Sequence, residues 1–137
     1  MITSRDINDL LPAARDVAEA FRDRCGEDGI TIIFTATYRD HESQAALYAI
    51  GRTVSGKKVT NAGPGDSMHN WRCAWDFVPI VNGKAVWDDD DLWQRCGAIA
   101  HDLGAEWGGS WQSFKDKPHC QYTGGLTLDQ LKAGAHP

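Results

Sequence analysis

The chain has 137 residues, of which 42% are hydrophobic and 24% charged, a composition that suits a single globular domain over residues 1–137 and excludes intrinsic disorder. Its net charge is −5 and it has no basic run, so it lacks the electrostatic footprint of a nucleic-acid or anionic-lipid binder. No apolar stretch approaches the length of a bilayer span, and no stable membrane association is expected.

The first residues, Met1 to Asp6, do not read as a basic region followed by an apolar core, which predicts synthesis in the cytosol without a secretory signal. Pro12 suits the first turn of a helix running to about Cys25, with Val17, Ala18, Phe21 and Cys25 on one side. Gly26 to Gly29 stops it. Residues 30–35, Ile-Thr-Ile-Ile-Phe-Thr, are β-branched and aromatic and predict a buried strand. Asp40 can cap a second helix through Gln44, Leu47 and Tyr48, closing at Gly51. Residues 51–66 are polar and glycine-containing and read as a long loop.

A strand from about Cys73 to Ile80 meets Asn82-Gly83, a type I′ hairpin signal, and returns along Lys84 to Trp87. Asp88 to Asp91 suit the N-terminus of a helix that continues to about Leu103; a calcium loop would show alternating ligands and a glycine turn. A short strand at Glu106-Trp107, a turn at Gly108-Gly109, a strand around His119 to Tyr122 and a short helix from Thr127 complete the chain. Helices mixed with an antiparallel sheet make an α+β architecture in which the sheet carries the site. Cys25, Cys73, Cys96 and Cys120 form no C-x-x-C pair, and without a signal segment they are expected to be reduced and buried.

Three clusters carry chemistry: Ser67-Met68-His69, Ala74-Trp75-Asp76 and Asp116-Lys117-Pro118-His119. Two imidazoles, one ligating carboxylate and one spare carboxylate match a catalytic zinc site, which uses three protein ligands and an open position. The same donors accept iron or cobalt. His69 and Asp76 are seven positions apart, an odd separation that would point them to opposite faces of one strand. They converge only if His69 sits in the turn before the strand or a bulge intervenes. His119 arrives from a second strand, with Pro118 imposing an extended approach. Asp116 is then placed to act as general base. His41, His101 and His136 are read as surface or satisfied residues.

Ser67-x-His69-x6-Asp76, Trp107-Gly108-Gly109 and Asp116-x-Pro118-His119, with the upstream Thr37-Tyr38-Arg39-Asp40, Gln44, Leu47-Tyr48 and Gly51, resemble the M15 family of zinc peptidases. The resemblance covers roughly residues 30 to 122 and implies a hedgehog/DD-peptidase-like fold: a small antiparallel sheet carrying the site, flanked by helices. It implies one Zn2+ per chain on His69, Asp76 and His119, with Asp116 as catalytic acid/base. Arg39 would polarise the scissile carbonyl or grip a carboxylate. Ser67 would hydrogen-bond substrate or a ligand, and Gln44 would either touch substrate or sit on an exposed helix face.

Three positions depart from the family pattern: Arg72 replaces a usual glycine, Ser110 stands where an acid often follows Trp-Gly-Gly, and Cys120-Gln121 follows the last histidine. Cys120 should face away from the metal. Trp71, Trp75, Trp107 and Trp111 bracket the motifs as walls of core and cleft, with stacking on glycan as the alternative. The implied substrate is the peptide stem of peptidoglycan. The expected activity is an L-alanyl-D-glutamate endopeptidase of phage-endolysin type, with a D-alanyl-D-alanine carboxypeptidase as the alternative. Such an enzyme is expected to be a monomer, made in the bacterial host cytoplasm and acting on the wall after release. A zinc-containing wall-binding module without turnover is the rival from another class.

Overall fold

The computed structural model describes residues 1–137. Helix α1 (Pro12–Glu27) begins with proline at its first turn, where the missing N–H has no intrahelical partner to lose, and buries Ala14, Ala18, Phe21 and Cys25 along one stripe. Strand β1 (Thr31–Ala36) follows, then helix α2 (His41–Ala49), capped by the Asp40 carboxylate on the Ser43 N–H. Strand β2 (Ala74–Val81) turns at Asn82 (φ 53°) and Gly83 (φ 77°) into β3 (Lys84–Ala85). Two positive φ values in a two-residue loop are the I′ geometry that matches strand twist. Helix α3 (Asp90–Asp102) is capped by Asp89, whose side chain accepts the Leu92 N–H. The chain ends with β4 (Glu106–Trp107), β5 (His119–Gln121) and α4 (Leu128–Lys132), the last capped by Thr127. No helix is long and apolar enough to cross a membrane.

The sheet is antiparallel, in the order β1-β2-β5-β4, with β3 also pairing to β2. On one face Trp75 and Phe77 of β2 meet Phe21 of α1 and Trp93 of α3. Phe21 and Phe77 pack edge-on at 4.8 Å between ring centroids, and Phe77 lies 5.2 Å from Trp93. Cys120 of β5, register partner of Trp75, belongs to the same core and so points away from the opposite face. Truncating Phe21 or Phe77 to alanine would remove about 3–5 kcal/mol, since both are fully enclosed. All four cysteines are buried as free thiols.

Two expectations need correction. Strand β1 is not buried on both faces: it pairs only with β2, and Ile33 is 44% exposed while Ile32 is in the core. A run of apolar residues cannot by itself separate a central strand from an edge strand covered by one helix. The return arm of the hairpin ends at Ala85 rather than at Trp87, which is 52% exposed and stacked on Trp93.

Candidate metal centre

The sheet face opposite α1 and α3 carries Asp76 and His119, direct register partners on β2 and β5. His69 comes from the 3-10 turn Met68–Trp71 that precedes β2, which resolves the odd spacing: turn and strand together bring both side chains to one point. The Ser67 side chain caps this turn on the His69 N–H at 3.2 Å, and the Asn70 amide accepts from the Ser67 and Gly65 N–H groups. Arg72 ends the turn in the left-handed region (φ 61°), where a glycine would be unstrained. Its guanidinium lies 3.7 Å over the Tyr38 ring and donates to the Asp9 carbonyl at 2.8 Å, contacts that offset the strain and explain arginine there.

His69 Nε2 is 3.1 Å and His119 Nδ1 is 3.5 Å from Asp76 Oδ1. Ligand atoms of the three residues all lie within 4.8 Å of one another. Each histidine has an orienting partner for its other nitrogen. His69 Nδ1 lies 2.7 Å from the Thr37 carbonyl oxygen, which only accepts, so that nitrogen carries the proton and Nε2 is free to ligate. His119 Nε2 lies 2.8 Å from Gln121 Oε1, leaving Nδ1 toward Asp76. Two neutral imidazole nitrogens and a carboxylate, already converged and turned the right way, fit a divalent first-row cation such as zinc.

Burial alone would push Asp76 up, but hydrogen bonds from His119 and His69 and their charge outweigh it and hold its carboxyl well below the usual range. Burial would lower His119, yet its contact with Asp76 wins and raises it.

Asp116 Oδ2 stands 4.0 Å from His119 Nδ1, with its side chain half exposed at the cleft. Desolvation pushes Asp116 up, against the pull of His119. The loop bearing it is packed onto Trp107-Gly108: the Trp107 indole N–H donates to the Lys117 carbonyl at 2.7 Å, and the Asp116 N–H donates to the Gly108 carbonyl at 3.0 Å. A Cβ on Gly108 would overlap the Asp116 carbonyl oxygen, so only glycine permits this approach. Ser110 closes the same turn by donating to the Trp107 carbonyl at 2.8 Å.

Arg39 Nη2 reaches to 4.0 Å from Asp76 Oδ2, and its Nη1 donates to Gln44 Oε1 at 3.0 Å. Its buried Nε has no partner. Gln44 is 1% exposed, which removes the exposed-helix-face alternative; its amide also donates to the Ala62 carbonyl at 2.8 Å. It therefore meets the cleft through Arg39 and the 51–66 segment rather than by lining it. The cleft, of about 810 Å³, is lined by Arg39, Ser67, His69, Asp76, Asp116 and His119, with Lys58, Trp111, Phe114 and Lys115 at its other walls. His101 and His136 are exposed and do not line the cleft; His41 is exposed and packs edge-on against Trp71.

Sequence reasoning did not single out Thr37 as the partner of His69, or Gln121, Lys58 and Lys115. Gln121 was detectable, since a residue two places from a ligand on a strand shares its face. Thr37 acts through a backbone carbonyl, which any residue could supply. The tryptophans divide: Trp75, Trp93 and Trp107 are in the core, whereas Trp111 lines the cleft with its ring 5.3 Å from that of His119.

Residues 60–122 match the family model described as D-alanyl-D-alanine carboxypeptidase, of the M15 type. The chain is 36% identical over 123 residues to the peptidoglycan L-alanyl-D-glutamate endopeptidase CwlK of Bacillus subtilis, covering 83% of this chain and 74% of that protein. It is 31% identical over 137 residues to the L-alanyl-D-glutamate peptidase of Listeria phage A118, covering 95% of this chain but only 44% of the phage protein. Its fold is similar, with a TM-score of 0.65 at 13% identity, to the crystal structure of a Zn(II) complex of the D,D-pentapeptidase VanY from a VanB-type resistance cassette, covering 97% of this chain and 83% of that one.

Proposed function

The chain belongs to the M15 family of metallopeptidases, and on that premise we propose that it is a zinc-dependent endopeptidase cutting the L-alanyl-D-glutamate bond in the peptide stem of peptidoglycan. The observation that carries this reading is the convergence of His69 Nε2, Asp76 and His119 Nδ1 beside Asp116 in one open cleft. The endopeptidase bond is favoured because both curated relatives reported above, at 36% and 31% identity, carry that activity in their names.

His69, Asp76 and His119 would hold one Zn2+ per chain, which when bound would supply the Lewis acidity for a peptide carbonyl and for the attacking water. Asp116 takes the proton of the attacking water and returns it to the leaving amine nitrogen. A carboxylate pushed up by desolvation is a stronger base than an ordinary one, which suits it to take the proton of the water. Arg39, with Nη1 tied to Gln44, keeps Nη2 as a donor for charge that grows on the carbonyl oxygen. Ser67 orients His69 and offers its hydroxyl to the substrate backbone.

The walls suit an acidic peptide. Lys117 pairs with Asp90 and Lys132 with Asp66, whereas Lys58 and Lys115 line the cleft without a carboxylate partner. A stem rich in free carboxylates meets two ammonium groups on a chain whose net charge is −5. The similarity to a phage peptidase supports a lytic setting, in which a monomer made in the host cytoplasm reaches the wall after release.

Mass spectrometry of muropeptides after digestion tests the reading. New N-terminal D-glutamate is expected; freed D-alanine would replace it with the carboxypeptidase activity that the family description carries. Full zinc loading with no cleavage of any stem bond would leave only the wall-binding module, against which the placement of Asp116 speaks.

A further inference from the structure

His119 is oriented by an amide rather than a carboxylate, and an amide can be turned either way. Gln121 presents Oε1 to His119 Nε2 at 2.8 Å. Flipped, it would present its NH2 and select the other imidazole tautomer, in which Nδ1 carries the proton and cannot ligate. Something must choose between them. Glu106 is the direct cross-strand partner of Gln121 on β4, and its Oε2 lies 3.4 Å from Gln121 Nε2. A carboxylate only accepts, so it requires the NH2 of Gln121 on its side and repels Oε1. The same Oε2 accepts the Trp111 indole N–H at 3.2 Å, and the Trp111 ring packs on His119. Glu106 thus acts on His119 from two directions while lying outside both the candidate ligand set and the lining of the cleft.

We propose that Glu106 is a positioning residue for the metal centre: through Gln121 it sets the tautomer that turns His119 Nδ1 to the cation, and through Trp111 it holds the ring in place. The proposal rests on the metal-centre reading above. The inference concerns orientation and not net charge alone, which gives it a distinctive rescue. A glutamate at position 121 would accept from His119 Nε2 in any rotamer and would need no chooser.

The test is zinc affinity, measured on the full chain by competition with a chromogenic chelator, together with histidine 13C shifts of the zinc-loaded protein, which report the coordinating nitrogen. Gln121→Leu should weaken zinc by about 10-fold or more, the range for loss of a partner that orients a ligand. Glu106→Leu should weaken it by about 3-fold, the worth of one exposed hydrogen bond, with part of the His119 signal leaving the Nδ1-bound position. The double variant Gln121→Glu/Glu106→Leu should regain the affinity lost through Gln121, binding zinc more tightly than Glu106→Leu alone, with a single Nδ1-bound signal.

Glu106→Leu with unchanged affinity and shifts would overturn the proposal while leaving the zinc site standing. So would a double variant as weak as Glu106→Leu alone, because a merely structural role for Glu106 would not be relieved by the change at 121. A wild-type chain that takes no zinc overturns the proposal and the metal-centre reading together.

Discussion

Asp76 and His119 face each other as register partners across the β2–β5 ladder, with the His119 Nδ1 nitrogen 3.5 Å from the Asp76 carboxylate. The ladder, not the loops, therefore sets the distance between two of the three candidate ligands. The third, His69, is held from the turn before β2 by the Thr37 carbonyl at the end of β1. Side chains placed by backbone pairing lose little freedom on binding a cation, which is why the site is already converged.

Asp116→Asn should retain zinc and lose turnover by about 10²- to 10⁴-fold, since it removes proton transfer without removing a ligand. His69→Ala should lose both. Zinc content by elemental analysis beside muropeptide release separates the two cases. An Asn variant that comes out metal-free would exchange the assigned roles of Asp76 and Asp116.

Gly108→Ala should lower kcat with zinc still bound. The added methyl meets the Asp116 carbonyl oxygen and must push the 111–118 loop outward, carrying the carboxylate away from His119. A shift of about 1 Å at a catalytic group can cost about 10²-fold. Unaltered kcat in a folded Gly108→Ala chain would show that the loop's seat on Gly108 does not position the base.

Gln44→Leu keeps the volume of a fully enclosed side chain but deletes both of its hydrogen bonds. The Ala62 carbonyl and Arg39 Nη1 are left without their partner, at a cost of about 1–3 kcal/mol in stability. Catalysis should fall beyond what unfolding explains, because Arg39 is then free to leave the cleft. Comparing thermal midpoint with kcat for Gln44→Leu and Arg39→Ala checks this; equal kcat to wild type in the Leu variant would sever Gln44 from the site.

Asp40 gives the pH dependence of stability. The Ser43 backbone N–H at its Oδ1 is the main cause, and the Ile2 N–H at Oδ2 adds to it, so the carboxyl is held below its ordinary value. A depressed folded value means that the ionised cap contributes fully above the unfolded value of about 3.9. That contribution is lost as pH falls through the folded value. Asparagine also caps helices but does not titrate. The urea midpoint of wild type should therefore exceed that of Asp40→Asn near neutrality, and the gap should close as pH falls below the unfolded value. A gap of constant size across that range would refute the assignment.

Local signals carried a large part of this molecule. Pro12, Asp40, Asp89 and Thr127 mark helix starts, Asn82-Gly83 marks the hairpin, and each acts through its own backbone within a few residues. The alternation along β5 likewise sends Cys120 to the core and His119 to the opposite face. The family motifs and the α+β class were legible for the same reason: spacing on a strand or a turn is a short-range property.

Tertiary structure alone decided what depends on neighbours far along the chain. Ile33 is exposed because it points to the face of β1 opposite core-facing Ile32, and Gln44 is buried because residues 51–66 fold back over it. Arg72 tolerates a left-handed backbone only because Tyr38 and Asp9 wait beside it. Thr37 meets His69, and Glu106 meets Gln121, through bonds spanning 32 and 15 residues. Composition and periodicity report what a residue prefers; which partner satisfies a hydrogen bond is settled only when the sheet closes and excludes the water that would otherwise serve.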